Sequence, residues 1–328
     1  MIISRTPFRV SFFGGGTDFL EYYREHGGAV LATTIDKYAY LSVHRLSPFF
    51  THRYRASYAR TETVLAPDEF QHPLIRECLL YLRIRDGMEI AHVSDLPGRT
   101  GLGTSSSFTV GLLHALHEFR GDEVNSEELA REAVIVERER VGDAGGHQDQ
   151  YLAAYGGFLR IDFSGQQRVE VKRLAAPAER IAALQDRLMM FYLGTEMSAE
   201  TILREQQERT TSNAGTLADM RRMVDDAQAV MEGDADLSAW GELLHESWTR
   251  KKALANGITN NDVDDAYDRA RAAGAGGGKL LGAGGRGFLL FYVEPERQDA
   301  VRGALEALME VPFAFSLEGS RIIFRTPE

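Results

Sequence analysis

The stretch PGRTGLGTSSSF, from Pro97 to Phe108, constrains this chain more than any other. Glycines 98, 101 and 103 lead into four hydroxyl residues, Thr104 to Ser107, and then Phe108, Leu112, Leu116 and Phe119 recur at steps of four, four and three. That spacing is one face of a helix. The hydroxyl run therefore falls at the helix N-terminus, where Ser and Thr side chains are expected to satisfy free backbone N–H groups. Glycines ahead of a helix let the backbone approach a ligand closely, and the exposed N–H groups at the positive end of the dipole favour phosphate. The stretch reads as an anion cradle with hydroxyls available to a metal ion. The plainer alternative is an ordinary loop and a well-capped helix. No Gly-Lys-Ser/Thr closes the stretch, which excludes a Walker A loop.

What the cradle can hold is bounded by charge. The 328 residues carry a formal net charge of −11, which argues against nucleic acid as the main partner. A small anion needs only a local basic pocket, and an acidic protein can supply one. The single cysteine, Cys78, excludes an intrachain disulfide and sits in the apolar run CLLYL, as a buried structural thiol would. No run approaches the ~18 apolar residues of a membrane helix. The opening MIISRTPFRVSFF lacks a signal-peptide layout, so a cytoplasmic location without membrane contact is expected. Oligomeric state is not legible.

Along the chain, Phe8, Val10 and Phe12 alternate with Arg9 and Ser11 as a strand, broken by Gly14 to Gly16. Thr17-Asp18 can cap a helix through FLEYYREH. AVLATTI and YAYLSV read as two strands, and residues 44–60 gather basic and aromatic side chains. A helix through PLIRECLLYLRI precedes the strand MEIAHV, which feeds the cradle. SEELAREAVIVERERV reads as one long helix, followed by a glycine-rich turn into HQDQYLAAYGGF and two antiparallel strands, FLRIDF and RVEVKRL. Proline and alanine near 175–178 mark the expected change of domain, dividing 1–175 from 176–328. The second part opens with a strand, LMMFYL. Helices follow over 198–232, 237–255 and 262–273, then two apolar runs, KLLG and GFLLFYV, around a glycine turn. A last helix, ERQDAVRGALEALMEV, leads to FAFSL and RIIF. Strands mixed with helices in this order suit an α+β sandwich.

GAGGRG, residues 282–287, matches Gly-x-Gly-x-x-Gly, but FLLFYV after it is strand-like, so a dinucleotide fingerprint is rejected. The longer KLLGAGGRGFLLF resembles the third signature of the GHMP kinases (galactokinase, homoserine, mevalonate and phosphomevalonate kinases), with Arg286 where that family usually has glycine. PGRTGLGTSSSF resembles the second signature, with Thr104 replacing a serine, and RTPFRVSFFGGGTDF resembles the first. The three occur in family order, and the resemblance extends from residue 1 to about residue 293.

The resemblance implies an ATP-dependent small-molecule kinase of α+β class using Mg2+. It implies two domains, an N-terminal ATP-binding one similar to the second domain of ribosomal protein S5 and a ferredoxin-like C-terminal one, with the active site between them. Pro97, Gly98, Gly101, Leu102, Gly103, Thr104, Ser105 and Ser106 would wrap the ATP phosphates. Asp149, in GGHQDQ, would orient the acceptor hydroxyl or take its proton, and Arg9 would lie beside the transferred phosphoryl group. Asp18, with Gly15, Gly16 and Thr17, would meet sugar hydroxyls, and Gly284 and Gly285 would close over the substrate. Glu137, twelve residues before Asp149, would hold the metal with Ser105. Glu139 and Asp143 read as a solvated charged face, and His147 as a structural neighbour.

Within the superfamily, SRTPFRVSFFGGGTD, HGGAVLATTIDKYAY, HQDQYLAAYGGF and LLHESWTRKKAL resemble the heptose 7-phosphate kinase branch. That branch implies phosphorylation of the anomeric hydroxyl of D-glycero-D-manno-heptose 7-phosphate to the 1,7-bisphosphate. Arg53, Arg55 and Lys37 are the candidates for holding the sugar's own phosphate, because a guanidinium fork matches phosphate geometry. An L-fucokinase-like sugar kinase is the alternative. A silent sugar sensor would lack the base or the metal ligand, and both are present. A nucleic-acid module on an S5-like fold conflicts with the net charge.

Overall fold

The computed structural model describes residues 1–165, 168–195 and 199–326. β1 (Ile2–Phe13) buries Phe8, Val10 and Phe12 completely. The period of two then puts Arg9 and Ser11 together on the opposite face, where both are buried beside a large cleft. After α1 (Leu20–His26), the two strands expected next are one 18-residue strand, β2 (Gly28–Arg45), antiparallel to β1 along its length. β3 (Tyr54–Ser57) and β4 (Thr61–Val64) form a hairpin, and α2 (Pro73–Tyr81) leads to β5 (Met88–Ser94), to which β3 is parallel. Cys78 is wholly buried in α2, and burial pushes its thiol pKa well up, as a structural thiol requires.

The cradle follows β5 and opens α3 (Thr104–Arg120), which lies against β1 and β2. The long helix expected over 126–141 is α-helical only as α4 (Ser126–Val134), capped by Asn125 and Glu128. It then widens into a π-helical stretch, Ile135–Val141, which carries Glu137. α5 (Gln148–Tyr155) and the hairpin of β6 (Phe158–Ser164) and β7 (Arg168–Arg173) complete this part. β5 and β6 share the edge of β2 that β1 leaves free, β6 pairing with Gly28 to Thr33 and β5 with Ala39 to Arg45.

The second part holds α6 (Ala178–Gln185), β8 (Leu188–Tyr192), α7 (Ala199–Glu208), α8 (Ala214–Glu232), α9 (Ser238–Lys252) and α10 (Asn261–Ala272). β9 (Gly277–Leu280), β10 (Phe288–Tyr292), α11 (Gln298–Ala304) and β11 (Met309–Glu310) follow. Its four-stranded antiparallel sheet has the order β11-β8-β10-β9. The helical stretch expected over 198–232 forms two helices with a turn at 209–213, and position 198 lies outside the described residues. The last helix stops at Ala304 because Met309 and Glu310 pair with β8 instead.

β12 (Phe315–Ser316) and β13 (Arg321–Arg325) return to the first sheet, β13 pairing with β1 and β12 with β2, which makes nine strands. The two layers meet on Trp240 of α9, fully buried, with Phe12 and Phe13 of β1 edge-on at 5.1 and 5.0 Å. Among the described residues no helix is long and apolar enough to cross a membrane.

Candidate active site

A cleft of about 960 Å³ is lined from both sheets. At its centre Arg9 grips Asp149: Nε donates to Oδ1 and Nη2 to Oδ2, both at 2.6 Å. Nη1 of the same guanidinium donates to the carbonyl of Gly101 at 2.5 Å, and the Arg9 amide donates to that of Leu102 at 3.0 Å. One side chain thus locks the carboxylate at the start of α5 to the glycine loop before α3. The loop presses close, since a side chain at Gly103 would meet Arg9 and Asp149.

The hydroxyls of that loop do not cap the helix. Gly103, left-handed at φ 72°, is the N-cap and offers no side-chain bond, so the first-turn N–H groups have no side-chain cap. Starting the helix at Thr104 moves the hydroxyls inside the first turn, where they divide. Thr104 and Ser105 face the cleft, Ser106 Oγ donates to Glu137 Oε2 at 2.9 Å, and Ser107 Oγ donates to the Pro7 carbonyl at 2.7 Å. Of the other expected phosphate-loop residues, Gly98, Gly101 and Gly103 line the cleft. Leu102 is instead core, and the Pro97 carbonyl fastens Thr100.

Glu137 is 1% exposed. Its Oε2 also accepts from Gln150 Nε2 at 2.7 Å, while Oε1 is buried with no partner. Burial raises its pKa, against the opposing charge of Arg138. An orphaned carboxylate oxygen beside serine hydroxyls at a phosphate loop fits a hard divalent cation, which takes oxygen ligands. Sequence pattern put Ser105 in this position; the side chain bonded to Glu137 is Ser106.

Asp18, expected as a helix cap if not a ligand, caps nothing. Its carboxylate accepts from the Gly16 amide (2.9 Å), the Gln148 amide (3.2 Å) and Gln148 Nε2 (2.9 Å). Burial pushes its pKa up and the nearby Asp149 charge adds to this, against those hydrogen bonds. Gly146 leaves room for this carboxylate, since a Cβ there would displace it. Gly15 and Gly16 line the cleft, whereas Thr17 is buried and donates to the carbonyls of Gly14 and Ala29. His147 Nδ1 is bonded to the Tyr23 hydroxyl at 2.9 Å, and burial lowers its pKa to about 4, so it is neutral and structural.

From the second sheet, Gly282 and Gly284 reach the cleft. Gly285 does not: its amide donates to Ile258 and its carbonyl accepts from Asn260. Arg286 lines the rim but is paired with Asp262 at 2.7 Å. Of the basic and aromatic cluster at 44–60, Tyr58 and Arg60 line the cleft, but the three residues expected to hold the sugar's phosphate do not. β3–β5 register sets Arg55 opposite Glu89, which it bonds at 2.7 Å; Arg53 donates to the Arg85 carbonyl, and Lys37 pairs with Asp36. The cations that do line the cleft besides Arg9 include Arg138, Lys251 and Lys279, none of which sequence reasoning singled out. Gln148 and Gln150, flanking Asp149, were also missed, although alternation about a known carboxylate could have flagged them. One end of the cleft is ringed: His72 stacks on Phe108 (5.1 Å), and His92 meets the same ring edge-on (5.0 Å).

The GHMP kinases N terminal domain matches residues 73–157 and the GHMP kinases C terminal domain matches residues 226–311. The chain is 29% identical to the D-glycero-alpha-D-manno-heptose 7-phosphate kinase of Campylobacter jejuni, over 97% of each. It is 26% identical to the bifunctional fucokinase/GDP-fucose pyrophosphorylase of Arabidopsis thaliana, over 92% of this chain and 30% of that one. A D-glycero-D-manno-heptose 1-phosphate kinase structure from Bacteroides thetaiotaomicron superposes with TM-score 0.80 at 25% identity over the whole of both chains. With both family domains in order, on the matching fold, this chain belongs to the GHMP kinase family and is an ATP-dependent kinase.

Proposed function

We propose that the protein transfers the γ-phosphoryl group of ATP to the anomeric hydroxyl of a heptose phosphate, D-glycero-D-manno-heptose 7-phosphate, giving the 1,7-bisphosphate. The observation that carries a kinase reaction at this cleft is the Arg9–Asp149 grip against the glycine loop. Phosphoryl transfer asks mainly for positioning and charge stabilisation. The α3 N-terminus and loop 98–106 supply N–H groups for the phosphates. Asp149 accepts the acceptor's proton as the new O–P bond forms and the bond to ADP breaks. Arg9 fixes both carboxylate oxygens and presents charge at the transfer point. Asp18, pre-aligned by Gln148, accepts hydrogen bonds from sugar hydroxyls. Glu137 Oε1, with the Ser105 or Ser106 hydroxyl, would hold Mg2+, whose charge offsets that of the phosphates. The His72–Phe108–His92 ring offers flat apolar faces to the base. We assign the two functions to 1–175 and 176–328, with the final strands returned to the first sheet.

The heptose assignment is supported by the Campylobacter relative's full-length match, and the fucokinase match keeps L-fucose as the competitor. The test compares kcat/KM for heptose 7-phosphate, heptose 1-phosphate, unphosphorylated heptose and L-fucose, scored by ADP release. Preference for heptose 7-phosphate is expected. Preference for a neutral sugar would remove the heptose-phosphate reading and leave the kinase standing.

A further inference from the structure

Among the described residues, two of the cleft's buried cations lack the carboxylate partner that Arg9 and Arg138 have. Arg9 is paired with Asp149, and Arg138 with Glu137 at 3.6 Å. Lys251, in the last turn of α9, is 7% exposed and donates to the carbonyls of Leu280 (3.4 Å) and Gly282. Lys279, on β9, is 4% exposed and donates to the carbonyls of Ser11 and Phe12, each at 2.8 Å. Both line the cleft, and among the described residues neither forms an ion pair with a carboxylate. An ammonium has three donors, so one is left on each. The two lysines and Arg9 converge around Asp18 and Asp149, and burial first, then their mutual repulsion, lowers the pKa of both lysines, Lys251 to about 8, so an anion bound there would restore their charge. Beside them Ser11 Oγ and Gln148 Oε1 are buried without partners. Holding unpaired charges out of water is costly, and an anion that completes their bonding offsets that cost.

We propose that Lys251, with Lys279 as the second cation, forms a phosphoryl-oxyanion site at the middle of the cleft. Its place follows from Gly282, whose carbonyl Lys251 holds and whose backbone packs directly on Gly101 of the phosphate loop, itself bonded to Arg9. The oxyanion has two sources, the γ-phosphate in transfer or the phosphate already on the acceptor, for which Arg53, Arg55 and Lys37 are out of reach. That choice of sources rests on the kinase reading; the site itself does not.

The test is calorimetry on the full chain, wild type against Lys251→Met, with inorganic phosphate, ADP, a non-hydrolysable ATP analogue, heptose 7-phosphate and heptose as probes. Losing one charge-assisted donor should weaken inorganic phosphate about tenfold or more and leave ADP unchanged. An equal loss against the ATP analogue assigns the oxyanion to the nucleotide. A loss against heptose 7-phosphate but not heptose assigns it to the acceptor. A wild type that binds no phosphate compound, or a variant that binds all of them as wild type does, overturns the proposal. Phosphate binding that depends on Lys251 in a protein that binds no nucleotide would keep the site and end the kinase reading. If Lys251→Met does not fold, Lys279→Met with the same probes decides. A lysine that merely staples the 280–282 backbone predicts a lower melting temperature with probe affinities intact, which also overturns the proposal.

Discussion

Arg9 and Asp149 stand 140 positions apart in the chain and meet through two parallel hydrogen bonds of 2.6 Å, the bidentate geometry that fixes a carboxylate in the plane of a guanidinium. Such a carboxylate is oriented before any substrate arrives. Asp149→Asn keeps the shape and loses the proton acceptor, so kcat should fall by ~10²–10⁴-fold while ATP affinity is retained. Steady-state kinetics with equilibrium nucleotide binding checks both; near-native turnover would remove Asp149 as the base.

Glu137 makes a prediction about stability with a definite sign. Burial raises its folded pKa above the ordinary glutamate value of 4.5. Stability is then fully present below that value and is lost as pH rises through the folded pKa, since the carboxylate must ionise in a buried site. Glu137→Gln should therefore melt higher than wild type at neutral pH without ligand. The gap should close toward pH 4, and the variant should need more Mg2+ for turnover. A variant that melts lower at neutral pH, with an unchanged Mg2+ requirement, would contradict both halves.

The serines separate by one residue. Ser106→Ala deprives Glu137 of a 2.9 Å donor and should shift the Mg2+ dependence, whereas Ser105→Ala removes a hydroxyl that faces the open cleft. A Mg2+ titration of both variants ranks them. A larger shift in Ser105→Ala would restore the assignment drawn from the sequence pattern.

Gly282 packs on Gly101 so closely that a Cβ would strike its Cα, and its φ of 74° is left-handed. Gly282→Ala should hold the two loops apart and lower kcat/KM by at least ~100-fold, about 2.7 kcal/mol of lost transition-state stabilisation. Circular dichroism controls for folding, and wild-type kinetics in a folded variant would refute this.

Arg53→Ala and Arg55→Ala should leave kcat/KM within about twofold, because each side chain is engaged outside the cleft. Tenfold loss with heptose 7-phosphate alone would return them to the substrate site.

The glycine and hydroxyl stretches were legible because backbone approach and helix starts leave marks in local composition. The longer strands of both sheets were legible from alternation or from short apolar runs, whereas β3, β4 and β11 were not. Asp18, Asp149 and Glu137 were legible only through family resemblance, since a lone carboxylate looks like any surface charge. What stayed hidden depends on pairing across the fold. β3–β5 register, invisible in RYRAS, takes Arg55 to Glu89. The π-helical stretch that turns Glu137 inward has the same periodic pattern as the α-helix before it. Lys251 sits among charged neighbours in TRKKAL, and only its packing under the 280–282 backbone marks it.

The pairing of β13 with β1 joins two strands about 320 residues apart, Ile2 opposite Arg325. During translation the N-terminal sheet can be populated early, but its edge stays unpaired until the whole second sheet has been made. That interval leaves a hydrogen-bonding edge open to other chains, and closing so long a loop is slow. The same zipper means the polypeptide crosses between the sheets more than once. The cleft's walls are thus coupled by covalent chain as well as by packing, so one wall cannot drift far without pulling on the edge of the other.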